Sequence, residues 1–252
     1  MNTSKGITVE ERMVHLLNNK RYDEINENLH HFVSFLLPFL EADSKLKCCR
    51  TEDFIKPDIC ISQDDERKFV SVKTGLSETL HTENIISFVN FLKDNGIDDY
   101  TVESYLLYQY GDGTTDGSGE NRMSSVETRF KMNERIKRMN GMFNSSKTFI
   151  KAFADRVMWK GVNPQAESAD YLYHGDEDFG SFISRNQIMR HIELRRWDYM
   201  TSVVHIGPFI LRPKARYPGG REVKNDDFRK RVVVSYPKLL SDIMYISRRY
   251  KF

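Results

Sequence analysis

Asp58, Ser71 and Lys73 are the residues of this chain whose types and spacing could do chemistry together. They lie in the stretch KPDICISQDDERKFVSVKTG, residues 56–75. Pro57–Asp58 opens an apolar run with strand character, DICIS (58–62), and Lys73 closes a second, KFVSVK (68–73). The polar QDDER between them reads as a hairpin loop, which folds acid and amine side by side although fifteen positions separate them. Side chains alternate between the faces of a strand. Asp58, Cys60 and Ser62 therefore share one side, as do Ser71 and Lys73, while Val70 and Val72 point the other way into a core. A carboxylate beside a lysine at a strand end is what metal-assisted phosphodiester hydrolysis requires: the acid holds Mg²⁺, and the ammonium orients water or offsets developing charge. Pro-Asp is also a common turn opener, and a strand-end lysine can simply reach for water. The hairpin and the charged residue ending a buried strand favour the chemical reading.

The elements that must position these residues follow from periodicity. Residues 8–19 and 21–37 read as helices, the second with Ile25, Leu29, Phe32, Val33 and Leu36 on one stripe and Pro38 at its end. Strands are predicted at Lys45–Arg50, Asp58–Ser62 and Lys68–Lys73. A helix is predicted over Thr82–Asn95, with Thr82 as N-cap and Gly96 after its end, and then a strand over Val102–Tyr110. GDGTTDGSGE (111–120) is a loop that lacks the lysine and hydroxyl of a phosphate-binding loop. Helices at Ser124–Asn140, Ser145–Lys160 and Ser184–Arg196 follow, with strands at Tyr171–Tyr173, Ser202–Leu211 and Arg231–Ser235. The expectation is an α/β fold around one mixed central sheet flanked by helices. It treats residues 1–252 as one domain, with a core at about 21–110 and C-terminal α/β elaborations over about 120–252.

Composition narrows the classes. The 252-residue chain is 39% apolar and 12% aromatic, enough to bury a substantial core. It has no run of eighteen apolar residues and no apolar leader in MNTSKGITVEERM, so neither a membrane span nor secretion is expected and the cytoplasm is the expected location. Cys48, Cys49 and Cys60 show no CxxC spacing, which points to reduced thiols rather than a disulfide framework or a zinc site. His30, His31 and His81 form no metal-ligand spacing. Residues 1–120 carry 12 Lys and Arg against 22 Asp and Glu, whereas 181–252 carry 16 against 6, so a polyanion partner is expected for the basic end. Within it, Arg212, Lys214 and Arg216 alternate at strand spacing and read as phosphate ligands. Arg190, with Arg185, Asn186 and Gln187, lies on or near one face of a helix and has the residue types that read base edges.

The Pro57–Asp58 pair, the gap and the Ser71-x-Lys73 ending resemble the signature of the restriction-endonuclease-like superfamily: Pro-Asp, a variable gap, then an acid, any residue, and lysine. The match is sharp over 57–73 and extends to about 21–110 by element order. Ser71 stands where the family usually has Asp or Glu. This is similar to a variant of some type II restriction enzymes in which the helix after the lysine strand supplies the acid. The resemblance thus implies Asp58, Lys73 and Glu83 as catalytic residues, with Asp58, Glu83 and the Val72 carbonyl holding Mg²⁺, for which Mn²⁺ could substitute. Glu78 is a reserve acid, and Glu24, from the helix before the strands, is another. The activity implied is a Mg²⁺-dependent endodeoxyribonuclease of the type II restriction class acting on double-stranded DNA, as a homodimer or larger assembly because two strands need two sites. Two readings stay open beside it: a repair or recombination nuclease that reads DNA structure, and a DNA-binding or assembly subunit that has lost catalysis.

Overall fold

The protein is described by a computed structural model over residues 3–52, 55–75, 79–163, 165–197, 202–213 and 226–249. Along the chain run α1 (Thr3–Leu17), α2 (Glu27–Leu36), β1 (Lys47–Arg50), β2 (Ile59–Gln63), β3 (Glu66–Lys73), β4 (Thr79–Asn84), α3 (Ile85–Asp94) and α4 (Asp99–Tyr110). Then come α5 (Ser125–Lys131), α6 (Asn133–Ser145), α7 (Lys147–Asp155), β5 (Tyr171–Gly175), β6 (Gly180–Ser184), α8 (Arg185–Leu194), β7 (His205–Ile206), β8 (Phe209–Pro213), α9 (Asp226–Arg229), β9 (Arg231–Ser235) and α10 (Leu239–Arg249). Two compact units share these elements, residues 1–77, 158–191 and 238–252 in the first, and 78–157 with 192–237 in the second. The stretch 21–110 contributes to both units.

The first unit is built on a five-stranded mixed sheet of order β1-β2-β3-β5-β6, antiparallel except for the parallel pair β3 and β5. Ile59, Ile61, Val70 and Val72 point to one face and are buried with Val9, Met13 and Leu17 of α1 and Leu29, Phe32, Val33 and Leu36 of α2. Each such side chain contributes about 1.5–3 kcal/mol on burial. The α1 residues recur every fourth position, so one helix stripe meets one sheet face. Asn26 caps α2, its side chain accepting from the Leu29 N–H at 2.8 Å. Residues 22–24 form a 3-10 turn rather than the start of this helix, so the helix expected from residue 21 begins at Glu27. Asp64, in the left-handed region at φ 50°, makes the tight β2–β3 turn with Asp65 and fixes the register Gln63 opposite Glu66. Gly180 is required on β6 because a Cβ there would come within 2.0 Å of the Tyr173 ring.

The second unit holds an antiparallel sheet of order β4-β9-β8-β7. Two sequence expectations change here. The segment 79–84 is strand β4, paired with β9, so α3 starts at Ile85 and its N-cap is Asn84, which accepts from the Ile86 N–H at 2.8 Å, not Thr82. Val102–Tyr110 is helix α4, capped by Asp98, which accepts from the Thr101 N–H at 2.9 Å, and ended by Gly111 at φ 64°. Buried residues occur all around α4, Thr101, Val102, Ser104, Tyr105, Tyr108 and Gln109 among them. With no polar face to reveal period 3.6, its sequence imitates a buried strand. Among the described residues no helix is long and apolar enough to cross a membrane.

Candidate active site

The hairpin brings Asp58 to the end of β2 against the C-terminal end of β3. Three donors converge on Asp58 Oδ2: the Ser71 hydroxyl at 3.0 Å, the Val72 N–H at 2.6 Å and the Lys73 ammonium at 3.5 Å. Lys73 also donates to its neighbour's carbonyl, Val72 O, at 3.2 Å. Ser71 is fully buried, while the Asp58 and Lys73 side chains keep 23% and 24% exposure, enough to meet a ligand from solvent. All these bonds fall on one carboxylate oxygen, which leaves Oδ1 outside the set. Ser71 is thus more than a small neighbour of the site: its hydroxyl satisfies the carboxylate at a position where an acid would repel it.

An acid that sequence reasoning missed feels the charges of Asp58 and Lys73. Glu10, on α1, is 12% exposed and its Oε2 lies 3.9 Å from Arg50 Nη2 at the end of β1. Burial pushes the Glu10 carboxyl up to about 7; the charge of Asp58 acts in the same direction, and Lys73 and Arg50 pull it back. The charge of Asp58 thus opposes ionisation of Glu10, and a cation beside the two carboxylates would relieve that opposition. The signal in the sequence was its place next to Val9 on the stripe Val9, Met13, Leu17, which sets Glu10 at the margin of the buried face.

His174 is the remaining neighbour. On β5 it stands directly in register with Lys73, and partners in a parallel pair share a sheet face. Burial, the largest cause, holds this imidazole below its ordinary value; a backbone hydrogen bond offsets that in part, and the Lys73 charge adds to the lowering.

The other expected acids have the following surroundings. Glu83 is in the second unit, on β4 and not in the first turn of a helix. Its carboxylate, 0% exposed, accepts from Arg156 Nε at 3.2 and 3.3 Å and from Arg156 Nη2 at 2.6 Å, with His81 Nε2 at 3.5 Å. Burial pushes Glu83 up, yet the bonds from His81 and Arg156 outweigh it and the carboxyl is held low. A guanidinium already neutralises this acid within its own unit. Glu24 sits in the 3-10 turn, half exposed, where it accepts from the Arg21 N–H at 3.2 Å. Glu78 lies outside the described residues, as do Lys214 and Arg216. Arg212 is exposed on β8 and Arg190 is exposed on α8.

No family model matches this chain, and no curated protein matches it in sequence. Among solved structures, one match is the crystal structure of restriction endonuclease MspI in complex with its cognate DNA. It is 12% identical over 93% of this chain and 92% of that chain, with a TM-score of 0.43.

Proposed function

We propose that the protein is a Mg²⁺-dependent endodeoxyribonuclease, of the type II restriction class, cutting double-stranded DNA as a homodimer or larger assembly. The observation that carries this reading is the convergence of Ser71, the Val72 N–H and Lys73 on one oxygen of Asp58, with Glu10 coupled to the same carboxylate. Glu10 here takes the role that the family resemblance gave to Glu83.

The residues fit a hard divalent cation. Among the described residues no three His, Cys, Asp or Glu side chains cluster as a metal group. Asp58 and Glu10, with the backbone carbonyl of Val72, would supply the sparse oxygen set that suits Mg²⁺, which keeps several of its waters. Bound there, the ion would lower the pKa of a water and polarise the phosphoryl group. Mn²⁺ would be expected to substitute. Asp58 and Glu10 supply negative charge; Ser71 and the Val72 N–H fix the Asp58 carboxylate so that it does not rotate away. Lys73, tethered to Asp58 and to the Val72 carbonyl, presents its ammonium to the attacking water or to a phosphoryl oxygen.

The test is incubation with plasmid and genomic DNA, methylated and unmethylated, in Mg²⁺, Mn²⁺ or EDTA. Discrete fragments in either metal and none in EDTA are expected. Asp58→Asn and Lys73→Ala should each lower the rate about 10²–10⁴-fold with folding intact. If no DNA is cut under any of these conditions, the reading gives way to a DNA-binding subunit without catalysis.

A further inference from the structure

The sheet face that carries Asp58 and Ser71 continues away from them along β1, β2 and β3. Thr51, whose N–H donates to the Asp58 carbonyl at 3.2 Å, forms one rung with Asp58 and Ser71. On the same face the next rung is Cys49, Cys60 and Phe69, and the one beyond is Lys47, Ser62 and Arg67. These two rungs line an open groove of about 920 Å³, whose other wall includes Asn163 and Gln165. Lys47 and Arg67 are exposed, and the core of the unit has no use for either charge.

We infer that this groove is the track for one strand of DNA leading to or from Asp58, an inference that rests on the nuclease reading for its substrate. Its lining is mixed in the way a nucleotide chain is mixed. Cations suit phosphates, amide side chains suit base edges, and the Phe69 ring offers a face to a base. Glu52 and Glu167 also line it, so the groove is no simple anion sink; a carboxylate can accept from a cytosine amino group. Strand geometry sets the reach. Two rungs are four residues, about 13 Å.

The groove carries its own reporter. Cys49 is exposed on its floor, whereas Cys48 and Cys60 are buried and burial raises both thiols. N-ethylmaleimide should label Cys49 first, as read by mass spectrometry, with Cys49→Ser as the control. In EDTA, where no cleavage occurs, a saturating mixed-sequence duplex is expected to slow that labelling tenfold or more. Arg67→Glu combined with Lys47→Glu should weaken binding and reduce the slope of log K against log salt by about one for each phosphate that the variant no longer neutralises. Asn163→Ala with Gln165→Ala should leave that slope unchanged. Unprotected Cys49 in a DNA complex, together with an unaltered salt slope, overturns the inference. If protection and the slope behave as expected while the wild type cuts no DNA in Mg²⁺ or Mn²⁺, the groove stands and the nuclease reading alone falls.

Discussion

The Ser71 hydroxyl donates to Asp58 Oδ2 at 3.0 Å from a position with no solvent exposure. Serine at this point solves a local problem: in the absence of a cation, a second carboxylate so close to Asp58 would be repelled, and burial would sharpen the repulsion. Ser71→Asp should therefore lower the melting temperature in EDTA, and millimolar Mg²⁺ should restore more stability to the variant than to the wild type. Thermal melts with and without metal measure this, and equal metal-induced shifts in the two proteins would refute it.

Glu10 gives the site a pH dependence with a defined sign. Its carboxyl is raised from 4.5 to about 7, chiefly by burial and then by Asp58. Between those values the folded chain keeps a proton that the unfolded chain has released. The stability from the protonated form is complete below about 4.5 and lost as pH rises through 7. Mg²⁺ must displace that proton, so its affinity should climb about tenfold per pH unit below 7 and level off above. Calorimetric titration at pH 6 and pH 8 checks this. Glu10→Gln should abolish the pH dependence and raise the melting point at pH 8 in EDTA. A Mg²⁺ affinity that is equal at the two pH values sinks the assignment.

How much of this was legible in the sequence depends on how each element buries itself. The β2–β3 hairpin and its faces were readable because Ile59, Ile61, Val70 and Val72 alternate with Cys60, Ser62 and Ser71, and a one-residue slip would turn an aliphatic pair away from the core. Helix α4 was misread because Thr101, Val102, Ser104, Tyr105 and Tyr108 bury around its circumference and erase the helical period. The start of α3 was misplaced because Thr82 and Asn84 are both capping types, and only the pairing of β4 with β9, about 150 residues later in the chain, decides between them. Glu10 escaped notice for the same reason: its burial and its pairing with Arg50 are tertiary facts, set by α1 packing on the sheet.

Glu83 and Arg156 yield the opposite kind of prediction, one about stability. The pair is buried, with 0% and 15% side-chain exposure, and Arg156 also donates to the Ser87 hydroxyl at 2.8 Å. Removing one partner strands the other charge, at a cost of about 3–5 kcal/mol. Glu83→Gln should accordingly unfold the second unit at lower denaturant. Because the Glu83 carboxyl is held low, the stability it contributes is present above its unfolded value of 4.5 and lost as pH falls further. Glu10→Gln, by contrast, should abolish cleavage with folding intact. A Glu83→Gln protein of wild-type stability that cuts no DNA would return the acid's role to Glu83.

His174 tests the neighbourhood of Lys73 without reference to any substrate. The two residues are register partners on parallel strands, so the imidazole is near the ammonium whatever ligand is bound. Burial is the largest cause and lowers its value from 6.5; a backbone hydrogen bond raises it in part, and the positive charge of Lys73 lowers it further. The sign is fixed: a nearby cation disfavours the imidazolium, so Lys73→Met should move the His174 titration upward while leaving it below 6.5, since the larger cause remains. In the wild type, the stability that accompanies neutral His174 is present above pH 6.5 and lost as pH falls through its lowered value. The His174 Cε1 proton resonance, followed by NMR between pH 4 and 8, reports both midpoints directly. An unchanged midpoint in Lys73→Met would mean that the lysine points away from β5, and the picture of Lys73 and His174 side by side on β3 and β5 would have to be abandoned.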